Sequence, residues 1–113
     1  MALYGDSRPM VTQTTGGSGA TAVVTLAADS QRKHAINLIH WVYNGGTPGT
    51  KSLTIAYTQN GVATTITYAI AHTVSVIKEI YLYGYLVGDV NTAVTITGDL
   101  LAAQTNTVTV FHT

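Results

Sequence analysis

The side chains that could carry out acid–base or metal chemistry are few in this chain, and they are scattered singly. They comprise four histidines and five carboxylates: His34, His40, His72, His112, Asp6, Asp29, Glu79, Asp89 and Asp99. None has the spacing of a nucleophile elbow, of a zinc-binding His-Glu-x-x-His helix or of a phosphate-binding loop. Catalysis needs several such groups in one cleft. We therefore predict that the protein is not an enzyme and uses no cofactor.

Metal binding within one subunit is not expected either. His34 and His40 are six positions apart on one predicted strand. Because a strand rises about 3.3 Å per residue, their backbones are about 20 Å apart. One histidine from each of three subunits could still meet on a threefold axis, for which His72 and His112 are candidates. A structural role is the prediction for both, because a metal site needs several ligands in one place.

The aromatic side chains form a second set of candidates. Tyr81, Tyr83 and Tyr85 alternate within residues 74–86 with an aliphatic row made of Val74, Val76, Ile80, Leu82 and Leu86. Successive side chains of a strand point to opposite faces, so both faces of this segment need cover. The chain's own core can cover one face. We predict that a second copy covers the other, with Trp41, Tyr81, Tyr83 and Tyr85 at the subunit interface.

Sugar binding is the alternative use of these aromatic rings. Trp41, Tyr43, Tyr57 and Tyr68, together with the three alternating tyrosines, have flat apolar bodies with polar tips that suit stacking on a sugar ring. A sugar site usually adds an acid or amide beside the ring, and the predicted strands carry few. Packing in the core and at interfaces uses the same residue types and is the favoured interpretation.

Composition limits the class of protein. A length of 113 residues predicts one domain. Only 9% of the residues are charged, the net charge is zero and there is no cysteine. No basic cluster is present, so we predict no nucleic-acid binding. Residues 1–10 lack the apolar stretch of a secretory signal, and no apolar run approaches the ~18 residues of a membrane helix. We expect a protein made in the cytoplasm, with no membrane partner, whose weakly charged surface is partly occupied by neighbours.

Most of the chain has the pattern of short β-strands. The predicted strands are residues 20–27, 34–43, 51–58, 62–70, 74–86, 92–97 and 106–112, and Asn60-Gly61 predicts a tight hairpin turn. A helix over residues 77–85 is the local alternative, but β-branched and aromatic residues and Gly84 favour a strand. Seven to eight short strands predict an all-β fold. We expect an antiparallel β-sandwich of the jelly-roll type over residues 20–113.

Residues 1–19 are predicted to form an extended N-terminal arm. Pro9 and the Gly-Gly-Ser-Gly run at residues 16–19 interrupt any regular pattern, so that only residues 9–14 suit a short edge strand. One interpretation is a frayed terminus. The other is a clasp on a neighbouring molecule, for which the candidate contact residues are Leu3, Tyr4, Arg8 and Met10.

The order of these segments resembles that of a known group of virion proteins. A basic turn within residues 27–36 leads to Ile-His-Trp-Val-Tyr at 39–43, a Gly-Gly-Thr-Pro-Gly loop at 45–49 and Ser-Leu-Thr-Ile at 52–55. Asn-Thr-Ala-Val-Thr-Ile at 91–96 and Val-Thr-Val-Phe-His at 108–112 complete the layout. Over most of residues 20–113 it resembles the small capsid decoration, or cement, proteins of tailed bacteriophages.

The resemblance implies a fold, a partner and a location. It implies a jelly-roll homotrimer that sits over local threefold positions on the outside of the phage head. There it would bind the major capsid protein and stabilise the capsid. The alternative is a trimeric host-recognition or glycan-binding module of a phage tail fibre, which would share the trimeric β architecture and would need an exposed aromatic groove.

Overall fold

The computed structural model describes residues 10–16, 20–44, 49–72, 75–99 and 105–113. Their regular elements are eight strands: β1 (Met10–Gly16), β2 (Ala22–Leu26), β3 (Ala35–Asn44), β4 (Gly49–Gln59), β5 (Val62–His72), β6 (Ser75–Val87), β7 (Val94–Gly98) and β8 (Asn106–His112). The predicted all-β antiparallel sandwich is confirmed. The helix considered for residues 77–85 is wrong, because these residues lie within β6.

The strands form two four-stranded antiparallel sheets. Their orders are β1-β8-β3-β6 and β2-β7-β4-β5. In four of the neighbouring pairs, a strand counted from the N-terminus lies beside the strand of the same rank counted from the C-terminus: β1 with β8, β2 with β7, β3 with β6, and β4 with β5. Strands β5 and β6 are therefore the end strands of their sheets. They lie on the same side of the sandwich, because one cleft is lined by residues of both.

The core lies between the sheets and is built from alternating side chains. Two fully buried examples are Leu53 and Ile55 on β4, which pack in one cluster with β7 and β8 residues such as Ile96 and Val108. The period of two along a strand places both side chains on the same face of β4.

Trp41 lies at the centre of this core. Its exposed fraction is zero, and its indole Nε1 donates a hydrogen bond to Asn106 Oδ1 at 3.1 Å. The indole packs so closely on Gly98 that a Cβ at that glycine would lie 2.7 Å from Nε1. Its prediction as a subunit-interface residue is wrong, because no surface of the side chain remains for a second subunit.

Strand β1 belongs to the sandwich. It pairs with β8 along its whole length, from Met10 opposite His112 to Gly16 opposite Asn106. The predicted boundary between an arm of residues 1–19 and a domain of residues 20–113 therefore differs from the structure. At Gly16 an added Cβ would lie 2.6 Å from the carbonyl oxygen of Thr21. The absence of a side chain at Gly16 therefore allows the backbone at Thr21 to lie close against it.

The predicted Asn60-Gly61 hairpin turn is confirmed. Both residues have positive φ, 52° and 77°, as a tight turn between paired strands requires. The Asp89 carboxylate accepts hydrogen bonds from both backbone amides, at 3.0 Å from Asn60 and 2.8 Å from Gly61. These two bonds hold the pKa of Asp89 below its usual value, and the bond from Gly61 has the larger effect.

Candidate functional site

Strand β6 contains a tight turn within its length. Ile36 of β3 pairs with Leu86, whereas Leu38 pairs with Tyr81, so that four residues of β6 lie opposite the single residue Asn37. Tyr83 and Gly84 have φ values of 52° and 77°, the same as Asn60 and Gly61 at the hairpin turn. Two consecutive positive φ values are typical of a two-residue hairpin turn. We name residues 81–85 the tyrosine bulge.

The conformation of the tyrosine bulge is strained at Tyr83. A left-handed φ costs an ordinary residue about 1–2 kcal/mol, and for a bulky side chain it is an outlier. Gly84 avoids this cost, and a Cβ there would come within 3.1 Å of Asn37 Oδ1. Backbone strain of this kind is concentrated at functional sites. It singles out the tyrosine bulge as the candidate site.

All three predicted tyrosines lie on the surface of the subunit. Tyr81, Tyr83 and Tyr85 are 53%, 73% and 86% exposed. The rings of Tyr81 and Tyr83 are stacked, with centroids 5.8 Å apart and planes 23° from parallel. Of the predicted aliphatic row, Leu86 is buried, and Ile80 and Leu82 are partly buried against the core. The chain thus covers these three aliphatic side chains of β6 and leaves the tyrosine row exposed, whereas Val74 and the side chain of Val76 lie outside the described part of the chain.

A carboxylate lies beside the stacked rings. The Tyr81 hydroxyl donates a hydrogen bond to Glu79 Oε2 at 3.0 Å. This bond and the negative charge of Glu79 raise the pKa of Tyr81. Glu79 was not predicted as a site residue, although its position two residues before Tyr81 places it on the same strand face.

An apolar row, exposed except at the half-buried Leu38, extends from the tyrosine bulge across the outer face of the sheet. Tyr81 lies opposite Leu38, Leu38 opposite Phe111, and Phe111 opposite Val11, so that all four strands contribute. Val11 is 60% exposed and Phe111 is 36% exposed. We name these four residues the outer row. A contiguous exposed apolar patch is typical of a surface that binds another molecule.

A polar row borders the outer row on one side. It contains Gln13, Thr109, His40 and Glu79, which pair with one another in register. The Gln13 side-chain amide donates a hydrogen bond to Thr109 Oγ1 at 2.7 Å. An apolar centre with a polar margin is the usual arrangement of a protein–protein interface.

A cleft opens between the end strands on the other face of β6. Its volume is about 340 Å³, and its lining consists of Tyr68, Ala69, Ile70, Lys78 and Ile80. The floor is apolar and Lys78 is exposed. The cleft leaves the side of the sandwich open between β5 and β6.

Of the candidate contact residues near the N-terminus, the structure describes one. Met10 is half-buried, and its Sδ accepts a hydrogen bond from Arg32 Nη2 at 3.6 Å. Leu3, Tyr4 and Arg8 lie outside the described residues. The contact proposed for these three remains a prediction.

Two histidines are buried at one end of the sandwich. The His34 Nε2 donates a hydrogen bond to the Ala27 carbonyl at 2.7 Å, and His112 Nε2 lies 2.9 Å from Thr12 Oγ1. The two rings meet edge to face with centroids 6.3 Å apart. His112 was a candidate for a threefold metal site, but it is buried within the subunit. In the part of the chain that the structure describes, no three potential ligands are grouped to hold a metal ion.

Acid is expected to destabilise the fold through His112. Burial, the positive charge of His34 when protonated, and nearby Arg32 hold the pKa of His112 below its usual 6.5. The unfolded state therefore binds a proton at His112 more readily than the folded state does. The contribution of neutral His112 to the free energy of unfolding is complete above pH 6.5 and is lost as the pH falls towards the pKa of the folded state. Urea unfolding at pH 7.5 and pH 5 should give a lower free energy of unfolding at pH 5. His112→Gln should reduce the difference, and an equal wild-type stability at both pH values would contradict the prediction.

Among the described residues, no helix has the length and apolarity needed to cross a membrane. Comparisons with protein-family models, with curated proteins and with solved structures find no significant match to this chain.

Proposed function

We propose that this protein is a homotrimeric capsid decoration protein, which binds the major capsid protein on the outside of a phage head and stabilises it. The observation that carries the proposal is the exposed tyrosine bulge, continuous with the outer row. It supplies the apolar surface that self-association requires. The resemblance of residues 20–113 to decoration proteins supplies the class, with synthesis in the host cytoplasm and a final place on the virion surface.

The strand order supports the jelly-roll part of this proposal. Pairing β1 with β8, β2 with β7, β3 with β6 and β4 with β5 is the arrangement expected when one long antiparallel hairpin is wrapped into two packed sheets. Two Greek keys over eight strands have this form.

The mechanism is cohesion through buried apolar area. Each Å² of apolar surface removed from water contributes about 25 cal/mol. A contact repeated over a head also benefits from multivalency, because bound subunits hold one another in place. The low charged fraction of the chain, 9%, reduces the cost of removing unpaired charges from water in such contacts.

The first experiment is the native mass by light scattering, followed by co-sedimentation with empty phage heads. Three chains of 11.9 kDa give about 36 kDa. We expect this mass or a whole multiple of it, pelleting with the heads, and heads that resist heat better with the protein bound. A monomer of 11.9 kDa that stays in the supernatant would overturn the proposal.

A glycan-binding module of a phage tail fibre is the second candidate function. The observation that favours it is Glu79, whose carboxylate lies beside the stacked rings of Tyr81 and Tyr83. Aromatic stacking with an adjacent acceptor for sugar hydroxyls suits a carbohydrate.

The substitution Glu79→Gln separates the two functions. A sugar site should lose affinity for glycans in an array when the carboxylate is removed, because charge-assisted hydrogen bonds are about twice as strong as neutral ones. A decoration protein should keep its native mass and its binding to heads. Binding of wild-type protein to heads but to no glycan would contradict the second function.

A further inference from the structure

Strand β5 has one edge that no described strand occupies. It pairs with β4 on one side, from Gly49 opposite His72 to Gln59 opposite Val62, without interruption. It lies at the end of the order β2-β7-β4-β5. Along its other edge, alternate residues over its eleven-residue length offer backbone amides and carbonyls to an added strand.

This edge lacks the features that usually protect end strands from pairing. Residues 62–72 contain no Lys, Arg, Asp, Glu or Pro, and the register with β4 shows no bulge. The other end strands differ. Strand β6 carries Lys78, Glu79 and the tyrosine bulge, β2 has five residues and β1 has seven. Strand β5 is therefore the long, regular and uncharged edge among the described strands.

The hairpin turn determines which residues face the open edge. In a two-residue hairpin the residues flanking the turn, here Gln59 and Val62, form a hydrogen-bonded pair, and such pairs then alternate along the ladder. Every second residue from Val62 consequently bonds to β4. The backbone groups of the intervening residues point outward: Ala63, Thr65, Thr67, Ala69 and Ala71. This outward set is symmetric about Thr67.

We infer that β5 pairs with β5 of a second copy of this chain, antiparallel about a twofold axis at Thr67. The pairing joins two four-stranded sheets into one of eight strands. Thr67 then lies opposite Thr67 of the second copy, and Ile66 opposite its Tyr68. Threonine pairs and aromatic–β-branched pairs are favourable neighbours across strands.

A second copy is the occupant that the charge pattern and burial favour. A twofold contact places the residue on the axis against its own counterpart and brings each of its neighbours close to the same residue of the second copy, so any charge near the axis would come close to a like charge. Strand β5 has no Lys, Arg, Asp or Glu. The side chains of Thr65, Thr67 and Ala69, on the solvent face of the sheet, are small and exposed. Ile66 and Tyr68, on the opposite face, are only half-buried at the margin of the core. A second strand can therefore approach β5 closely and cover Ile66 and Tyr68.

This inference goes beyond the proposed decoration function, because the two contacts use different strands. The tyrosine bulge and the outer row belong to the sheet that contains β6, whereas the twofold contact uses β5 of the other sheet. If both contacts form, six chains of 11.9 kDa assemble to about 71 kDa, and the β5 contact alone gives about 24 kDa.

The test is Thr67→Cys with mild oxidation by diamide. The chain has no cysteine of its own, so any disulfide must join two introduced thiols. In a hydrogen-bonded antiparallel pair the Cα atoms are about 5.5 Å apart, within the range that a disulfide spans. We expect most of the protein to run as a covalent dimer on a non-reducing gel. Thr25→Cys, exposed on β2 at the opposite end of the same sheet, is the matched control and should stay monomeric.

A second variant tests the contact without chemistry. Thr67→Lys places two like charges on the axis and should halve the native mass, whereas Thr25→Lys should leave it unchanged. Cross-linking of Thr67→Cys no greater than that of Thr25→Cys would overturn the inference. A native mass of three chains, together with no cross-linking of Thr67→Cys, would also overturn the inference but would leave the decoration proposal intact. A wild-type native mass of two chains, together with cross-linking of Thr67→Cys, would support the β5 contact and count against the trimer.

Discussion

Tyr83→Asp is expected to break the threefold contact, so that the native mass falls to a third of its wild-type value. Tyr83 is 73% exposed in the single chain and stacks on Tyr81 at 5.8 Å. An interface that covers these rings would have to bury the new carboxylate without a partner, at a cost of several kcal/mol. Light scattering behind a sizing column measures the effect directly.

The same substitution should not weaken the isolated subunit. Tyr83 has a φ of 52°, and aspartate and asparagine tolerate this region better than tyrosine does. We therefore expect loss of association together with an unchanged or slightly higher free energy of unfolding per subunit. These opposite effects distinguish loss of an interface from general damage to the fold.

A matched control for Tyr83→Asp is Val23→Asp on β2. Val23 is 38% exposed and lies on the other sheet. This change should leave the native mass as it is. If Tyr83→Asp retained both the wild-type mass and the wild-type melting temperature, the tyrosine bulge would not be an interface.

Trp41→Ala is expected to lower the free energy of unfolding by about 3–5 kcal/mol, the usual cost of removing a large buried aromatic side chain. The indole is fully buried, and its loss also leaves Asn106 Oδ1 without its donor. Domains of this size are stable by about 5–15 kcal/mol, so the variant should be close to unfolding. Urea unfolding followed by far-ultraviolet circular dichroism suits the measurement, because Trp41 is the sole tryptophan and fluorescence is lost with it.

Trp41→Phe provides the comparison. It keeps an aromatic ring in the core but removes the hydrogen bond to Asn106, so the loss should be smaller than for alanine. A Trp41→Ala variant with wild-type stability and an altered native mass would instead support the original interface role and refute the core position.

Strand positions could be predicted from sequence because a period of two and the residue preferences of strands are local properties. The β4–β5 hairpin is the clearest example, since Asn60-Gly61 needs no distant contact to favour its turn. Strand β3 was harder. Both of its faces carry apolar side chains, with Ile39 and Trp41 on one and Leu38 and Val42 on the other. Alternation separates the two faces but does not say which one lies inside, and so Trp41 was misplaced.

The candidate site was only partly predictable for the same reason. Alternation along the chain was enough to predict that Tyr81, Tyr83 and Tyr85 share a strand and that β6 has apolar groups on both faces. The bulge of four β6 residues opposite Asn37, and the row that Tyr81 forms with Leu38, Phe111 and Val11, arise from pairing between strands in the folded protein. Register between strands that are far apart in the chain depends on how the whole sandwich pairs and packs, and no local pattern contains that information.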